Sequence, residues 1–456
     1  MRRTLYLLYS AVLCNLLTGV VPAGDWKAGV GRAVITPPSM MWMSGYASRD
    51  RPAQGKLHDL SVKALLLQDQ GGNRCLALTY DLVGIDRRTS QEICRQLEAA
   101  FQLRREQIAI CTSHTHSGPV VGRNLLSMYE LDERQLTLVH EYTDFLAERT
   151  LEAARSAVES LAECEIHVGE GTSDFAVNRR NNREADVPML REQGQLVGPV
   201  DHSVPVLVVR TPAGIIRAIL FGYACHATVL SGMDWCGDWP GYAQIEIEKR
   251  HPGVTALFWA GCGADQNPLP RRTVELAQKY GGMAADAVDG ALQQEMQSVQ
   301  GQLKTVYSEI PLRLGQLPDA DQIRADADSS NVYLVRRARV LQEQLQQQGQ
   351  LSSTYPYPLQ VWQVGDAATL TFLGGEVVVD YSLRLKRELA AGRHWIAGYS
   401  NDVMAYIPSL RVLREGGYEG ASSMIYYGLP TVWSGDVEEQ VVEGVLQLHQ
   451  QLQSQP

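Results

Sequence analysis

The stretch 107-QIAICTSHTHSGP-119 is an apolar run ending at Cys111 and Thr112, followed at once by His114 and His116 and then by Gly118-Pro119. A short run of branched residues closed by a Gly-Pro stop reads as a buried strand leading into a loop. Two imidazoles one residue apart in that loop either surround one small space or are incidental to a polar turn. Six further runs have the same character: 75-CLALTYDLVGI-85, 205-PVLVVR-210, 216-IRAILFGYA-224, 254-VTALFWAG-261, 367-AATLTFLG-374 and 395-WIAGYS-400. Helical patterns lie between them, clearest at Thr89–Phe101, Tyr142–Leu161, Tyr242–Arg250, Arg272–Met296, Leu334–Gln348 and Val377–Ala390, with a last one at Val437–Leu452. Strand then helix, repeated, predicts an α/β fold: a mixed β-sheet core with helices on its faces.

The positions of the unusual side chains sharpen this. His114 and His116 follow one strand, His226 directly follows 216–225, and Asp265 and Asn267 follow 254–261. Glu376 follows 367–374, and Tyr406 follows 395–400 across Asn401-Asp402. In open α/β sheets, ligand and catalytic groups gather at the carboxyl ends of strands, so the active site is expected there.

Composition bounds the function. The chain has 456 residues, 45% hydrophobic and 20% charged, with a formal net charge of −10. It is long enough to bury a large core, and its composition is that of a globular protein. Met1-Arg2-Arg3, the apolar stretch Leu5 to Val21 and the small-residue site Val21-Pro22-Ala23 read as a signal peptide over residues 1–23, so the chain is expected to be exported, periplasmic or secreted, with residues 24–456 forming one catalytic domain. A lipoprotein reading through Cys14 is weaker, because Leu13 stands where a small residue is wanted. No other stretch provides the roughly 20 apolar residues of a spanning helix, so no transmembrane segment is expected in the mature chain. An acidic surface disfavours nucleic acid as a partner, leaving a small-molecule or lipid substrate. The eight cysteines form no C-x-x-C pair; one disulfide, between Cys225 and Cys236, is compatible with an oxidising compartment.

Two or three histidines with one carboxylate suit Zn²⁺ and leave a coordination position for water or substrate. A metal so held lowers the pKa of its water from about 15.7 to about 7 and polarises a carbonyl, which is hydrolytic chemistry. A tyrosine can add a phenolate or stabilise an oxyanion, and Arg179 in 176-AVNRRNN-182 can hold a polar or anionic substrate group. Plainer explanations exist for each residue. A lone histidine such as His226 is more often structural, Glu376 could be a first-turn charge on a helix, and Tyr406 and Tyr418 could be core aromatics. The absence of an H-x-H-x-D-H run argues against a metallo-β-lactamase type. A thiol nucleophile at Cys111, Cys225 or Cys262 lacks any sign of a depressed pKa.

Taken together, 29-GVGRAVITPP-38, 111-CTSHTHSGP-119, 222-GYACHATVL-230, 238-DWPGYA-243, 261-GCGADQNP-268, 375-GEVVVDYSLRLK-386, 400-SNDVMAYIPS-409 and 416-GGYEG-420 resemble the neutral/alkaline non-lysosomal ceramidase family, zinc amidases that cleave the amide of N-acylsphingosine. The resemblance implies that His114, His226, Glu376 and Tyr406 bind Zn²⁺. It implies that His116 contacts substrate or moves a proton, that Arg179 orients the substrate, and that Tyr418, twelve residues after Tyr406, is the second active-site tyrosine. Two departures stand out. Asn267 in 264-ADQNP-268 occupies the place of the family's serine in a G-D-V-S-P run, and asparagine cannot form an acyl intermediate. The resemblance also implies that the C-terminal β-sandwich module of such ceramidases is missing. The expected function is an exported zinc hydrolase that cleaves an N-acylsphingosine-like amide through metal-activated water, with Asn267 donating a hydrogen bond. The alternatives are a zinc hydrolase acting on another acyl or glycan substrate and a non-catalytic metal-dependent binding protein.

Overall fold

The apolar runs form two sheets rather than one. In a computed structural model that describes residues 26–389 and 392–454, the larger sheet contains β1 (Trp26–Val34), β2 (Ser61–Asp69), β3 (Arg74–Tyr80), β4 (Ile108–Thr112), β5 (Ala162–Thr172), β6 (Ser203–Arg210), β7 (Ile216–Tyr223) and β8 (Thr255–Ala260). Their order across the sheet is β8-β7-β6-β5-β1-β2-β3-β4, and the short strand Gln297–Ser298 pairs with β5 off this path. The outermost pairs, β8 with β7 and β3 with β4, are parallel, and the pairs between them are antiparallel. The second sheet is β9 (Leu303–Arg313), β10 (Thr354–Val364), β11 (Ala368–Leu373) and β12 (His394–Ala397), with only its last pair parallel. The expected signal peptide, residues 1–23, lies outside the described residues.

The two sheets face each other. Leu65, Leu220 and Trp259 of the first pack in one cluster with Trp362, Leu370 and Trp395 of the second. The outer face of the first sheet is covered by α1 (Arg87–Phe101), α2 (Glu133–Glu159), α3 (Asp238–Arg250) and α4 (Val274–Gln293). A helical pair, α5 (Ala320–Ala327) and α6 (Val332–Gln348), is inserted between β9 and β10, and α7 (Val379–Glu388) and α8 (Val437–Gln453) cover the outer face of the second sheet. Because strands such as β4 and β6 are covered on both faces, they read as continuous apolar runs.

Strand β1 shows why the sequence there is so constrained. A Cβ on Gly29 would lie 1.8 Å from the Ala157 carbonyl oxygen, and one on Gly31 2.0 Å from that of Ala153. Helix α2 therefore crosses β1 backbone to backbone, and a larger residue would have to push the layer apart. Strands β1, β5, β9 and β10 do not show as apolar runs: β1 alternates buried and exposed residues, β5 interleaves glutamates with its buried positions, and β10 carries Pro356 and Pro358. Among the described residues, no helix is long and apolar enough to cross a membrane.

Candidate active site

The carboxyl ends of five strands meet on one rim. At the end of β4 the chain turns through His114, whose φ of 59° puts a non-glycine residue in the left-handed region, a costly conformation that the surroundings must hold in place. They do so with two contacts: the Ser113 N–H donates to the Tyr80 carbonyl, and His114 Nδ1 donates to the Val83 carbonyl at 2.6 Å. At the end of β7, His226 Nδ1 donates to the Gly263 carbonyl at 2.8 Å, and the Trp239 indole donates to the His226 carbonyl at 2.8 Å. The buried Asp238 carboxylate accepts the N–H groups of Val229 and Leu230, so the first residues of α3 fix the loop that carries His226.

The second sheet delivers the acid. After β11 the chain turns at Gly374-Gly375, where Gly375 has φ 76° and a Cβ would lie 2.7 Å from the Ala405 carbonyl oxygen. Only glycine fits that turn readily. It sets Glu376 beside Tyr406 in a two-residue parallel ladder. The segment after β12 then runs along β4, with Thr112 N–H donating to Tyr399 O and Asn401 N–H to Ile110 O. That strip of pairing carries the end of the second sheet against the first.

The result is a buried cluster. Glu376 Oε2 lies 3.1 Å from His114 Nε2 and 3.2 Å from His226 Nε2. His116 Nε2 lies 3.1 Å from His114 Nε2, and the Tyr406 hydroxyl 3.4 Å from His226 Nε2. His114, His116, His226 and Glu376 are each less than a tenth exposed. One nitrogen from each of the three histidines can be drawn so that all lie within 4.8 Å of one another. His116 thus lies directly beside the other two rings, in reach of anything they hold.

A cation suits this arrangement on chemical grounds. Both Nδ1 atoms that face carbonyls must carry protons, which leaves lone pairs on Nε2 of His114 and His226. Those lone pairs point at a carboxylate oxygen that has no hydrogen-bond donor of its own. Burial pushes the His226 imidazole down to about 4 and that of His116 well below its ordinary value, so both rings are neutral near pH 7. Burial alone would raise the Glu376 carboxyl, but the adjacent His114 and His226 rings outweigh it and hold the group well below its ordinary value. Three imidazole nitrogens gathered around one buried carboxylate are a donor set that suits a divalent metal.

The remaining predicted residues line the approach. Arg179 donates through Nε to Glu419 at 2.7 Å, through Nη2 to the Tyr406 hydroxyl at 3.1 Å and through Nη1 to Asn267 Oδ1 at 3.3 Å. Tyr418 is 40% exposed and its ring lies 5.2 Å from that of Tyr406. Sequence reasoning missed four neighbours. Glu419 anchors Arg179; the Tyr427 hydroxyl donates to Glu376 Oε1; Tyr399 packs its ring 4.3 Å from that of His114; Tyr46 lies 4.7 Å from the His116 ring. Glu419 sits inside the quoted 416-GGYEG-420 and could have been found there, whereas nothing local marks Tyr427, which lies in a short 3₁₀ turn.

The expected disulfide does not form: Cys225 and Cys236 are free, as are the other five described cysteines, and all are buried. Burial raises the Cys111 thiol to about 12 and that of Cys225 well above its ordinary value, so neither is a thiolate near pH 7.

Comparison with known proteins agrees with this picture. A family model described as neutral/alkaline non-lysosomal ceramidase, N-terminal, matches residues 26–264, a little over half of the chain. Neutral ceramidases of Drosophila melanogaster and Drosophila pseudoobscura pseudoobscura are 25% and 24% identical over 265 and 267 residues, 55% and 56% of this chain. Those matches span 36% of the length of the fly proteins. The crystal structure of neutral ceramidase from Pseudomonas aeruginosa superposes with a TM-score of 0.71 over 94% of this chain and 75% of that one, at 18% identity. A ceramidase complexed with C2 superposes equally well, with a TM-score of 0.71 at 17% identity over 94% of this chain and 76% of that one. At such identities the superposition establishes a shared fold, and it is the sequence match through the H-T-H loop, the Cys225-His226 turn and the Gly261-Cys262-Gly263 turn that assigns the chain to the neutral/alkaline non-lysosomal ceramidase family.

Proposed function

We propose that this chain is an exported, zinc-dependent hydrolase that cleaves an amide or closely related acyl bond, with residues 24–456 acting as one catalytic unit. The observation that carries the reading is the convergence of Nε2 of His114 and of His226 on the undonated Oε2 of Glu376 at 3.1 and 3.2 Å. In this reading His114, His226, Glu376 and Tyr406 hold the ion. Such an ion supplies a Lewis acid for the substrate carbonyl and activates water for attack.

The chain's own residues do the rest. Tyr427 pins the second oxygen of Glu376, so the carboxylate cannot swing away. His116 is neutral and presents Nε2 to the same point, where it can accept a proton and return it to the leaving amine. Arg179, anchored by Glu419, keeps Tyr406 in position and accounts for Asn267 Oδ1, which also takes the Thr228 hydroxyl at 3.5 Å. The Asn267 amide N–H groups are then the part of that side chain left to donate to a substrate oxygen. Asn267 has no hydroxyl to form an acyl intermediate, so in this reading the attacking group would be a water.

The test is metal content together with release of fatty acid from labelled ceramide and a panel of other N-acyl compounds, for the wild type, His114→Ala and Asn267→Ser. Turnover that disappears in His114→Ala supports the reading. Bound zinc with no turnover on any acyl compound would favour the binding protein instead.

A further inference from the structure

One wall of the site extends outward past Arg179 and Asn267 to arginines that have no part in the reading above. Beside Asn267 opens a cavity of about 510 Å³ whose lining includes four guanidinium groups, those of Arg179, Arg180, Arg183 and Arg271, against two carboxylates, Glu184 and Glu419. Of the remaining lining residues, Leu269 and Tyr418 are the apolar ones, and Asn182 and Asn267 are amides. The inner wall is continuous with the histidine cluster, because Arg179 touches Tyr406 at 3.1 Å and Tyr418 packs on the same ring. At the outer edge, the Arg183 side chain is 89% exposed and its ion pair with Asp186 is long, 3.9 Å.

This lining runs against the rest of the molecule. The chain carries a net charge of −10, yet four guanidinium groups converge on this cavity, their carboxylate partners being Glu184 and Glu419 in the lining and Glu415 and Asp186 beside it. Guanidinium groups clustered in a low-dielectric cleft raise the local potential and attract a group of opposite charge. Guanidinium groups match carboxylate, sulfonate and phosphate oxygens in paired hydrogen bonds. An uncharged, mostly hydrocarbon substrate gains nothing from such walls and must desolvate them. Resting on the hydrolase reading above, we infer that this cavity is a subsite for an anionic group on the substrate. The scissile amide then belongs to an N-acyl compound with a carboxylate, sulfonate or phosphate close to its nitrogen, not to one with an uncharged head group.

Binding can be measured without turnover, so the two readings fail separately. Calorimetric titration of the purified chain would compare N-octanoylglycine, N-octanoyltaurine and N-octanoylethanolamine phosphate with the uncharged N-octanoylethanolamine. The inference expects at least one anionic probe to bind about tenfold more tightly than the uncharged one, the size of one or two charge-assisted hydrogen bonds. The probe that binds most tightly identifies the head group. That preference should shrink markedly in roughly 0.5 M salt, where exposed charges are screened. Arg271→Gln should reduce the preference about threefold or more; because it also frees Glu184, Arg183→Glu on the exposed edge provides a second variant that leaves the packing alone. Equal affinities for charged and uncharged probes, or a preference indifferent to salt and to both variants, would overturn the inference even if ceramide is hydrolysed. An anion preference with no hydrolysis would leave this subsite standing and remove the hydrolase reading.

Discussion

The space between the two sheets and the rim at their carboxyl ends are built from the same strands on opposite principles. Between the sheets, Leu65, Leu220, Trp259, Trp362, Leu370 and Phe372 pack with regular backbone and apolar neighbours. At the rim, His114, Asp238, Tyr399 and Asn401 all have φ between 51° and 64°, and His114, His226, Asp265 and Glu376 are buried polar groups. Strain and buried polarity each cost free energy, so a fold keeps them only where something is gained. The interior therefore maintains the geometry, and the rim spends stability to hold a few atoms in one arrangement.

That contrast can be broken experimentally. Glu376→Gln should abolish metal retention and lower amide turnover by ~10³-fold or more, the scale of removing a positioned electrostatic group. Its metal-free melting temperature should move less than that of Phe372→Ala. The interior change should show the reverse: Phe372, 2% exposed and packed 4.8 Å from Trp362, leaves a cavity when truncated, at a cost of about 3–5 kcal/mol. Protein that still folds should keep its metal. If Phe372→Ala loses metal in proportion to stability, rim and interior are not separable. Trp239→Phe lies between the two, since it deletes the indole donor to the His226 carbonyl while filling most of the same volume. A group that orients a ligand in this way is worth about 10–100-fold in metal affinity, read from competition with a chelator, with little change in unfolding midpoint.

How much of this was legible in the chain follows the same division. The seven apolar runs all fall on strands, because double coverage leaves no polar alternation in them. The placement of His114, His226, Asn267, Glu376 and Tyr406 after those strands was legible too, although the runs 75–85 and 395–400 continue past the strand ends at Tyr80 and Ala397. That the runs divide into two facing sheets was not. Strands β9 and β10 bracket a helical insertion and carry Pro311, Pro356 and Pro358, so their pairing is decided by distant partners. Nor was the left-handed turn at His114 legible, because a histidine between Ser113 and Thr115 carries no glycine to announce it. Glu419 and Tyr427 act through contacts 240 and 51 residues away in sequence, and no local pattern encodes such distances. The motifs supplied the residues of the site, and tertiary pairing supplied their partners.

The smallest effect tests whether the quiet side of the molecule contains any strain of its own. His449 on α8 faces the second sheet, with Nε2 3.2 Å from the Thr371 hydroxyl and its ring 5.6 Å from that of His394. Burial first, and His394 second, push its imidazole down to about 4, below the value of about 6.5 of an unfolded histidine. Between those values the unfolded chain takes up a proton that the native protein refuses. Stability contributed by this site is therefore intact above about pH 6.5 and falls as pH drops toward 4. The group is partly exposed, so solvent screening reduces the effect to about 1 kcal/mol. His449→Gln should remove that increment, so the difference in urea midpoint between pH 7 and pH 5 should be smaller in the variant than in the wild type. An identical difference in both proteins would mean that the acid sensitivity of the fold resides entirely in the rim.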